Sequence, residues 1–447
     1  MLIKLIVGNS ACKIDGLPVE HYNALRKLLS YTPETSDYGM AHLYRKYLIS
    51  KRGEFPTGLL YIVEDYLSKA KLKFSLTDTR IAPKRDLKGF NATIPFPPHK
   101  EQKEAGEAAM LQKRGIVVAP TGTGKSLIAI LMIQAIKVNT LVVVPGIELK
   151  RQLLESLTEA FGETMVGTLK DKRKIAVENV DSLDPKTLLK GYDCVIIDEF
   201  HHSGASTYRD LNKYAWVNVY YKLGLTATPF RSRDEERLLL ESVLSKVIYK
   251  IDYDTAVAKK YIVPMEAYYI EVPPTEIKGN QRSWHAMYAE LVVNNLPRND
   301  LIIKLLNLLN ESNISSLCLV KEIKHGDNLT ALNPELPFTN GTDEDSRRYV
   351  TQFNACKVST LIGTTGVLGE GVDTKPCEWV IIAGLGKSKN AFMQACGRAF
   401  RNFKNKETCK VVIFKDPSHK WTKAHFAAQL KILKDEYNIK PIKLSLT

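Results

Sequence analysis

The sequence has no C-x-x-C pair among its seven cysteines and no histidine cluster at zinc spacing. Both absences argue against a structural metal site and for reduced thiols. No apolar run approaches the roughly 18 residues of a membrane span, and the apolar opening, residues 1–7, is too short for the core of a signal peptide. The expected location is therefore the cytosol, that of a host cell if the chain is viral. No repeat at a period of about 20–50 residues and no low-complexity segment is visible, so solenoid and disordered architectures drop out. What remains is ordinary in bulk: 447 residues, 44% hydrophobic and 25% charged, with length for roughly three domains.

Charge departs from the average. Lysine and arginine number 63 against 49 acidic residues, a formal net charge of +14. The excess sits at the ends: residues 1–95 carry +6 and residues 402–447 another +6, which leaves +2 for the 306 residues between. Such ends favour a polyanionic partner through long-range attraction.

The proline-dense stretch Ile94-Pro95-Phe96-Pro97-Pro98-His99 biases the backbone towards extended forms and marks a domain entrance. Beyond it, short apolar runs at 116–118, 141–144, 194–197 and 222–225 alternate with helical stretches. After a helix-prone segment around 301–310 the pattern recurs at 317–320, 358–362, 379–382 and 411–414. Nearly unbroken apolar strands between helices predict parallel sheets covered on both faces, hence two α/β lobes in tandem. The join is expected between Pro264 and Arg298. The first 95 residues lack the alternation; helices are expected at 22–30 and 61–70, within a small α+β accessory domain. The expected division is 1–95, 96–275 and 276–447. A last helix, 421–437, should pack on the second lobe through Phe426, Leu430 and Leu433.

The strongest local signal is Ala119-Pro120-Thr121-Gly122-Thr123-Gly124-Lys125-Ser126, which follows a predicted strand and opens the helical run 127–136. A phosphate chain needs several backbone N–H groups converging on it, and glycines allow that approach. The helix N-terminus adds its dipole, Lys125 meets the β- and γ-phosphates, and the Ser126 hydroxyl ligates Mg²⁺. Downstream, Val195-Ile196-Ile197-Asp198-Glu199-Phe200-His201 ends a buried strand in two carboxylates, at the sheet edge where open α/β folds bind ligands. Asp198 would hold the Mg²⁺ and Glu199 would orient and deprotonate the water that attacks the γ-phosphate.

The loop, with Ala119 in place of the general first glycine, and the Asp198-Glu199-Phe200-His201 box together resemble those of superfamily 2 helicases and translocases. The resemblance covers about residues 96–415 and implies two RecA-like lobes, ATP and Mg²⁺. It implies further that His201, Thr226 and Thr228 couple hydrolysis to strand binding, the latter two within Thr226-Ala227-Thr228-Pro229. Pro145 and Gln152 then contact the nucleic-acid backbone, as does Thr364. Gly371 and Asp373, at the end of the same Gly363–Asp373 motif, lie by the nucleotide. Gln102, in the entrance motif His99, Gln102, Glu104-Ala105, would read adenine. Leu319-Val320, His325-Gly326 and Phe338-Thr339-Asn340-Gly341 resemble motifs IV and IVa, and Asn294-Asn295 with Arg298-Asn299 the lobe-joining stretch of XPB-like translocases and their relatives. Gln394, Gly397-Arg398 and Arg401 share one helical stripe by spacing, where Arg398 and Arg401 would serve as arginine fingers on the γ-phosphoryl group.

In size, basic charge and order along the chain, the N-terminal region resembles that of phage branch-migration helicases of the UvsW kind. This implies a DNA helicase remodelling forks, D-loops and Holliday junctions in recombination, repair and replication, with DNA as partner. The alternatives are a duplex translocase of a restriction or XPB-like repair system, and a DNA clamp that binds ATP without turnover. Arg45, Lys46, Lys51 and Arg52, with Lys69, Lys71 and Lys73, are candidate phosphate contacts in a DNA-binding accessory domain. Truncating residues 1–90 is expected to weaken DNA binding more than basal ATP hydrolysis.

Overall fold

The computed structural model describes residues 2–32, 45–94, 96–200, 205–227, 234–277, 283–340, 346–368, 374, 376–404 and 406–446. His201, Thr228, Gly371 and Asp373 lie outside the described residues. The chain divides into two compact units, Met1–Ala119 with Gly124–Lys250 and Ile251–Thr447, the stretch Pro120–Thr123 grouping with the latter. The α/β architecture is as predicted: two seven-stranded sheets, parallel throughout, and a smaller mixed sheet at the N-terminus.

In the first unit the large sheet runs in the order Val247–Lys250, Arg114–Val118, Tyr221–Thr226, Cys194–Asp198, Thr140–Val144, Ile175–Asn179, Val166–Gly167. Its four central strands are buried along their whole length, as their unbroken apolar runs require. The helix Lys125–Ile136 is apolar nearly all round and lies buried, with Ile128, Met132 and Ile136 sealed. By contrast, Ile147–Phe161 is amphipathic: Leu153, Leu157 and Ala160 face inward at helical spacing while Arg151 pairs with Glu148 and Glu155 outside.

The N-terminal sheet orders Glu54–Pro56, Ala11–Asp15, Ile3–Val7, Phe74–Asp78, with Val19–Leu28 and Leu60–Lys69 as its helices. It has its own core of Leu5, Leu25, Phe55, Val63 and Leu67, yet Leu238 and Leu239 of the first seven-stranded lobe complete that core. A β-carbon on Gly58 would stand 2.0 Å from the Glu241 carbonyl oxygen, so the two backbones meet directly. Tyr61 donates to the buried Glu241 carboxylate at 2.6 Å.

Beneath the seven-stranded sheet of the first unit the join is polar. Lys222 and Arg114 pair in register at the starts of their strands, both buried. The Lys222 ammonium donates to the Asn9 carbonyl (3.1 Å), Ser10 Oγ (2.6 Å) and Asn212 Oδ1 (2.7 Å). Arg114 donates to the carbonyls of Asn9 and Val243. The turn at Asn9 and Ser10 thus caps two buried cations of the neighbouring lobe with neutral acceptors. Burial, and the second cation beside it, push the Lys222 ammonium well below its usual range; burial pushes Arg114 down to about 9.

These contacts change what truncation would measure. Removing residues 1–90 strips the acceptors from two buried cations and opens the Leu238 and Leu239 face, so the loss would be structural. Lys222→Ala should destabilise the first unit by about 3 kcal/mol, from the cavity and the lost donor to Ser10 Oγ and Asn212 Oδ1. That is a melting shift of roughly 6–12 °C for a unit of this size. Because the folded state holds the amine less protonated than the unfolded chain does, the contribution of Lys222 to stability grows as pH rises towards the ordinary lysine value. The melting difference between parent and Lys222→Met, measured from neutral to alkaline pH, should therefore widen upward; identical curves would mean that the seam contributes nothing.

In the second unit the sheet runs Phe338–Thr339, Thr360–Thr364, Ser316–Val320, Trp379–Ile382, Cys409–Lys415, Met265–Glu271, Ile442–Lys443. Met265–Glu271 pairs along its length with Cys409–Lys415, so this sheet begins before the expected boundary at 275/276. The run is hard to read from sequence: Met265 and Ala267 lie on one face of the strand and Ile270 on the other, so it shows neither a clean alternation nor an unbroken apolar run. The helix Lys420–Tyr437 packs on this lobe as predicted, with Leu433 sealed and Phe426 edge-on to Tyr269.

Candidate active site

Three strand ends build the site. Tyr221–Thr226 lies between Arg114–Val118 and Cys194–Asp198, in registers that set Thr226 beside Val118 and Asp198 beside Leu225. All three carboxyl ends therefore open on the same edge. The crossings after them are tied by backbone bonds: Ala119 N–H donates to the Thr226 carbonyl and Glu199 N–H to that of Leu225, both at 2.9 Å.

The loop after Val118 needs its glycines. Gly122 and Gly124 have φ of +92° and +80°, which residues with a β-carbon rarely adopt. A β-carbon on Gly124 would also stand 2.9 Å from Gln102 Nε2. Thr123 is buried and its hydroxyl closes the turn on the Pro120 carbonyl at 2.7 Å. Gln102 is buried against the loop, and its Oε1 accepts from the His99 N–H at the start of helix Lys100–Gln112. Glu104, of the same motif, accepts instead from the Tyr249 hydroxyl.

Lys125, at the first turn of its helix, forms an ion pair with Glu199 Oε1 at 2.8 Å. Thr226 Oγ1 lies 3.3 Å from Glu199 Oε2. Asp198, buried at the strand end, accepts the Glu199 N–H at 3.0 Å. Glu199 itself has φ of +45°, an unusual value for a side-chain-bearing residue. Such strain persists only where surrounding contacts over-determine it, and here it swings the carboxylate from the strand end to Lys125 and Thr226. Ser126 is exposed beside the loop and Asp198 is buried at the strand end; a hydroxyl and a carboxylate are oxygen donors of the kind Mg²⁺ takes. The glycine backbone and Lys125 suit the phosphates.

The remaining sequence-predicted residues separate into several groups. Pro145 and Gln152 flank the start of Ile147–Phe161, both half-buried. Thr364 is buried at the end of Thr360–Thr364. Arg45, Lys46, Lys51 and Arg52 are exposed on the N-terminal region. His325 and Gly326 are structural: His325 is sealed against Asn299 Oδ1 at 3.0 Å, and Gly326 lies against the Phe338 ring.

One expectation fails in detail. Gln394 lies on helix Lys389–Gly397 and Arg398 caps it, but Arg401 lies beyond, in a bridge to Ile262. The stripe therefore ends before Arg401, because the chain turns extended to meet residues 260–263: Val263 N–H donates to the Phe400 carbonyl, and Asn402 donates to those of Lys260 and Tyr261. Lys406, which no motif marks, donates to the carbonyls of Cys377, Ala399 and Arg401 and staples this arm.

Residues 95–231 match the family described as type III restriction enzyme, res subunit, and residues 300–403 match the helicase conserved C-terminal domain. Among curated proteins, the DNA 3'-5' translocase XPB2 of Sulfurisphaera tokodaii is 26% identical over 376 residues, 72% of this chain and 84% of that protein. Of several further relatives the chain spans about half the length. A fragment of a putative HsdR subunit of a type I restriction enzyme from Vibrio vulnificus superposes with a TM-score of 0.59 at 17% identity, over 97% of this chain and 84% of that one. T4 UvsW superposes with a TM-score of 0.45 at 16% identity over the full length of both chains.

Proposed function

We infer that this chain, with its superfamily 2 helicase-translocase fold and helicase-type ATP-dependent activity, is a DNA motor that remodels branched DNA by branch migration. The observation that carries the motor reading is the Lys125–Glu199–Thr226 cluster at the sheet edge. It joins a phosphate-binding lysine, a water-activating carboxylate and a coupling threonine, as hydrolysis of a γ-phosphate requires. Lys125 and the loop hold the phosphates, Ser126 and Asp198 hold Mg²⁺, and Glu199 takes the proton of the attacking water. In this reading Arg398 and Arg401 stabilise transition-state charge, and Thr226 carries the state of Glu199 towards the bound strand. A clamp without turnover has no need of this set.

The preference for branches rests on the N-terminal region. Its exposed Arg45, Lys46, Lys51 and Arg52 form a phosphate-binding face that the buried seam fixes to the ATPase lobe, so grip and motor move together. The test compares ATP turnover and strand displacement without DNA, on linear duplex, on a fork and on a four-way junction. Stimulation greatest on fork and junction is expected. Movement along linear duplex without branch preference would favour the translocase of a restriction or repair system, and no stimulation by any DNA would overturn the motor. The double reversal Lys51→Glu, Arg52→Glu should weaken junction binding and lower its logarithmic salt slope by about 2, while DNA-free turnover stays unchanged.

A further inference from the structure

Two of the four tryptophans meet on the second lobe, in a cluster the helicase motifs do not include. Trp284 opens helix Trp284–Tyr288, behind the Ser283 cap. Trp421 lies in the first turn of Lys420–Tyr437, its backbone N–H donating to His419 Nδ1 at 3.2 Å. Thr422 adds bonds to the carbonyls of Asp416 and His419, so the turn is rigid. The two indoles meet edge to face at 5.5 Å, and Trp284 also lies 4.5 Å from the His425 ring.

The cluster stands at the carboxyl ends of the sheet. Tyr288, beneath Trp284, donates to the carbonyl of Gly384, just past Trp379–Ile382, and Lys321, just past Ser316–Val320, lies over the Tyr288 ring at 5.3 Å. Unlike the sealed Phe400 and Tyr437 in the same lobe, Trp284, Trp421, His419 and His425 are only half-buried. Lys321, Lys387, Lys420 and Lys423 are exposed: Lys321 and Lys387 act on the His425 ring, Lys420 and Lys423 adjoin Trp421 and His425 in the chain, and Glu322 lies near Tyr288. Burial, with Lys387 and Lys321 nearby, pushes His425 down to about 4, which leaves a neutral ring at physiological pH.

We propose that Trp284, Trp421 and His425 form a stacking platform for the bases of single-stranded DNA, with Lys321, Lys387, Lys420 and Lys423 holding its phosphates. Aromatic faces that accept any base, flanked by cations, are the chemistry of sequence-tolerant single-strand binding. The bases lie across the rings and are not inserted. The adjoining cavity, over Arg298 and Asp416, leaves about 30 Å³ for the centres of water-sized molecules, room for water. Asp416 Oδ2 and Arg298 Nε have no hydrogen-bond partner among the described residues, which suits a water there. The proposal rests on the DNA-motor reading and assigns the platform to the strand released at a branch.

The test uses the full chain and an oligothymidylate of about 20 nucleotides. Trp216 is sealed and Trp379 stands at the amino end of its strand, away from the carboxyl ends, so the quenching of intrinsic fluorescence by the oligomer that is lost in Trp284→Phe and Trp421→Phe reports the platform. Trp284→Ala and Trp421→Ala should each bind it roughly tenfold more weakly, with Trp→Phe restoring most of the affinity. Lys387→Glu with Lys423→Glu, which leave the core untouched, should weaken it similarly; DNA-free ATP turnover and linear-duplex affinity should be unchanged in all. Parent-like oligomer binding by the charge-reversal and alanine variants, or an equal loss on linear duplex, overturns the platform. If the parent ATPase responds to DNA and the variants match it, the platform alone fails. If no DNA stimulates the parent, the motor reading fails, and fluorescence still decides the platform.

Discussion

Glu199→Gln should leave ATP binding intact and reduce turnover roughly 10²- to 10⁴-fold, the range for loss of a positioned general base. The substitution keeps the side chain's shape and its contact with Thr226 while removing the charge that pairs with Lys125. That pair explains why binding should survive or tighten. Lys125 and Glu199 neutralise one another in a site where both are largely shielded from water. On the proposed roles, phosphates on the loop would compete for Lys125 and so leave Glu199 available to act on water. Phosphate release and fluorescent-nucleotide titration measure the two halves separately, and turnover within a few-fold of the parent would remove Glu199 from the base role.

Arg401→Ala should lower turnover by about 10³-fold with little change in nucleotide affinity, as expected for a cation that acts on transition-state charge. Burial lowers its guanidinium from its usual range. It remains the always-charged residue of the arm, since arginine starts so high. Its position is set by the arm: the bridge to Ile262, the Asn402 bonds and the Lys406 staple hold the backbone on both sides. A finger must be pre-positioned to contribute at this scale, and three restraints on a short segment provide that. Arg401→Lys should fail to restore activity, because an ammonium lacks the planar fork. Single-turnover measurements with saturating ATP are the check; a parent-like rate would assign the arm a structural role.

Much of the motor was legible because phosphate chemistry demands local sequence. A loop of converging N–H groups needs Gly122 and Gly124 next to Lys125, and a buried strand ending in Asp198-Glu199 announces a sheet edge before any coordinates exist. The parallel sheets were legible for the same reason: strands covered on both faces have little choice but continuous apolar runs. Less regular features were missed. Met265–Glu271 buries residues on both faces without a clean period of two and so reads as connector, and Arg401 keeps helical spacing after the helix has ended.

By itself, then, the sequence determined the two α/β lobes, through their unbroken apolar strands, and the glycine-and-lysine loop that follows the first of them, through its local spacing. Only the tertiary structure decided that the basic N-terminal region is bolted to the ATPase lobe, since nothing near Asn9 announces Lys222 or Arg114 more than 100 residues away. It alone brought Trp284 and Trp421 together, and turned Glu199 onto Lys125. The physical reason is common to these cases. Hydrogen bonds, ring contacts and ion pairs between distant segments depend on which strand lies beside which, and strand order is set by packing of the whole sheet.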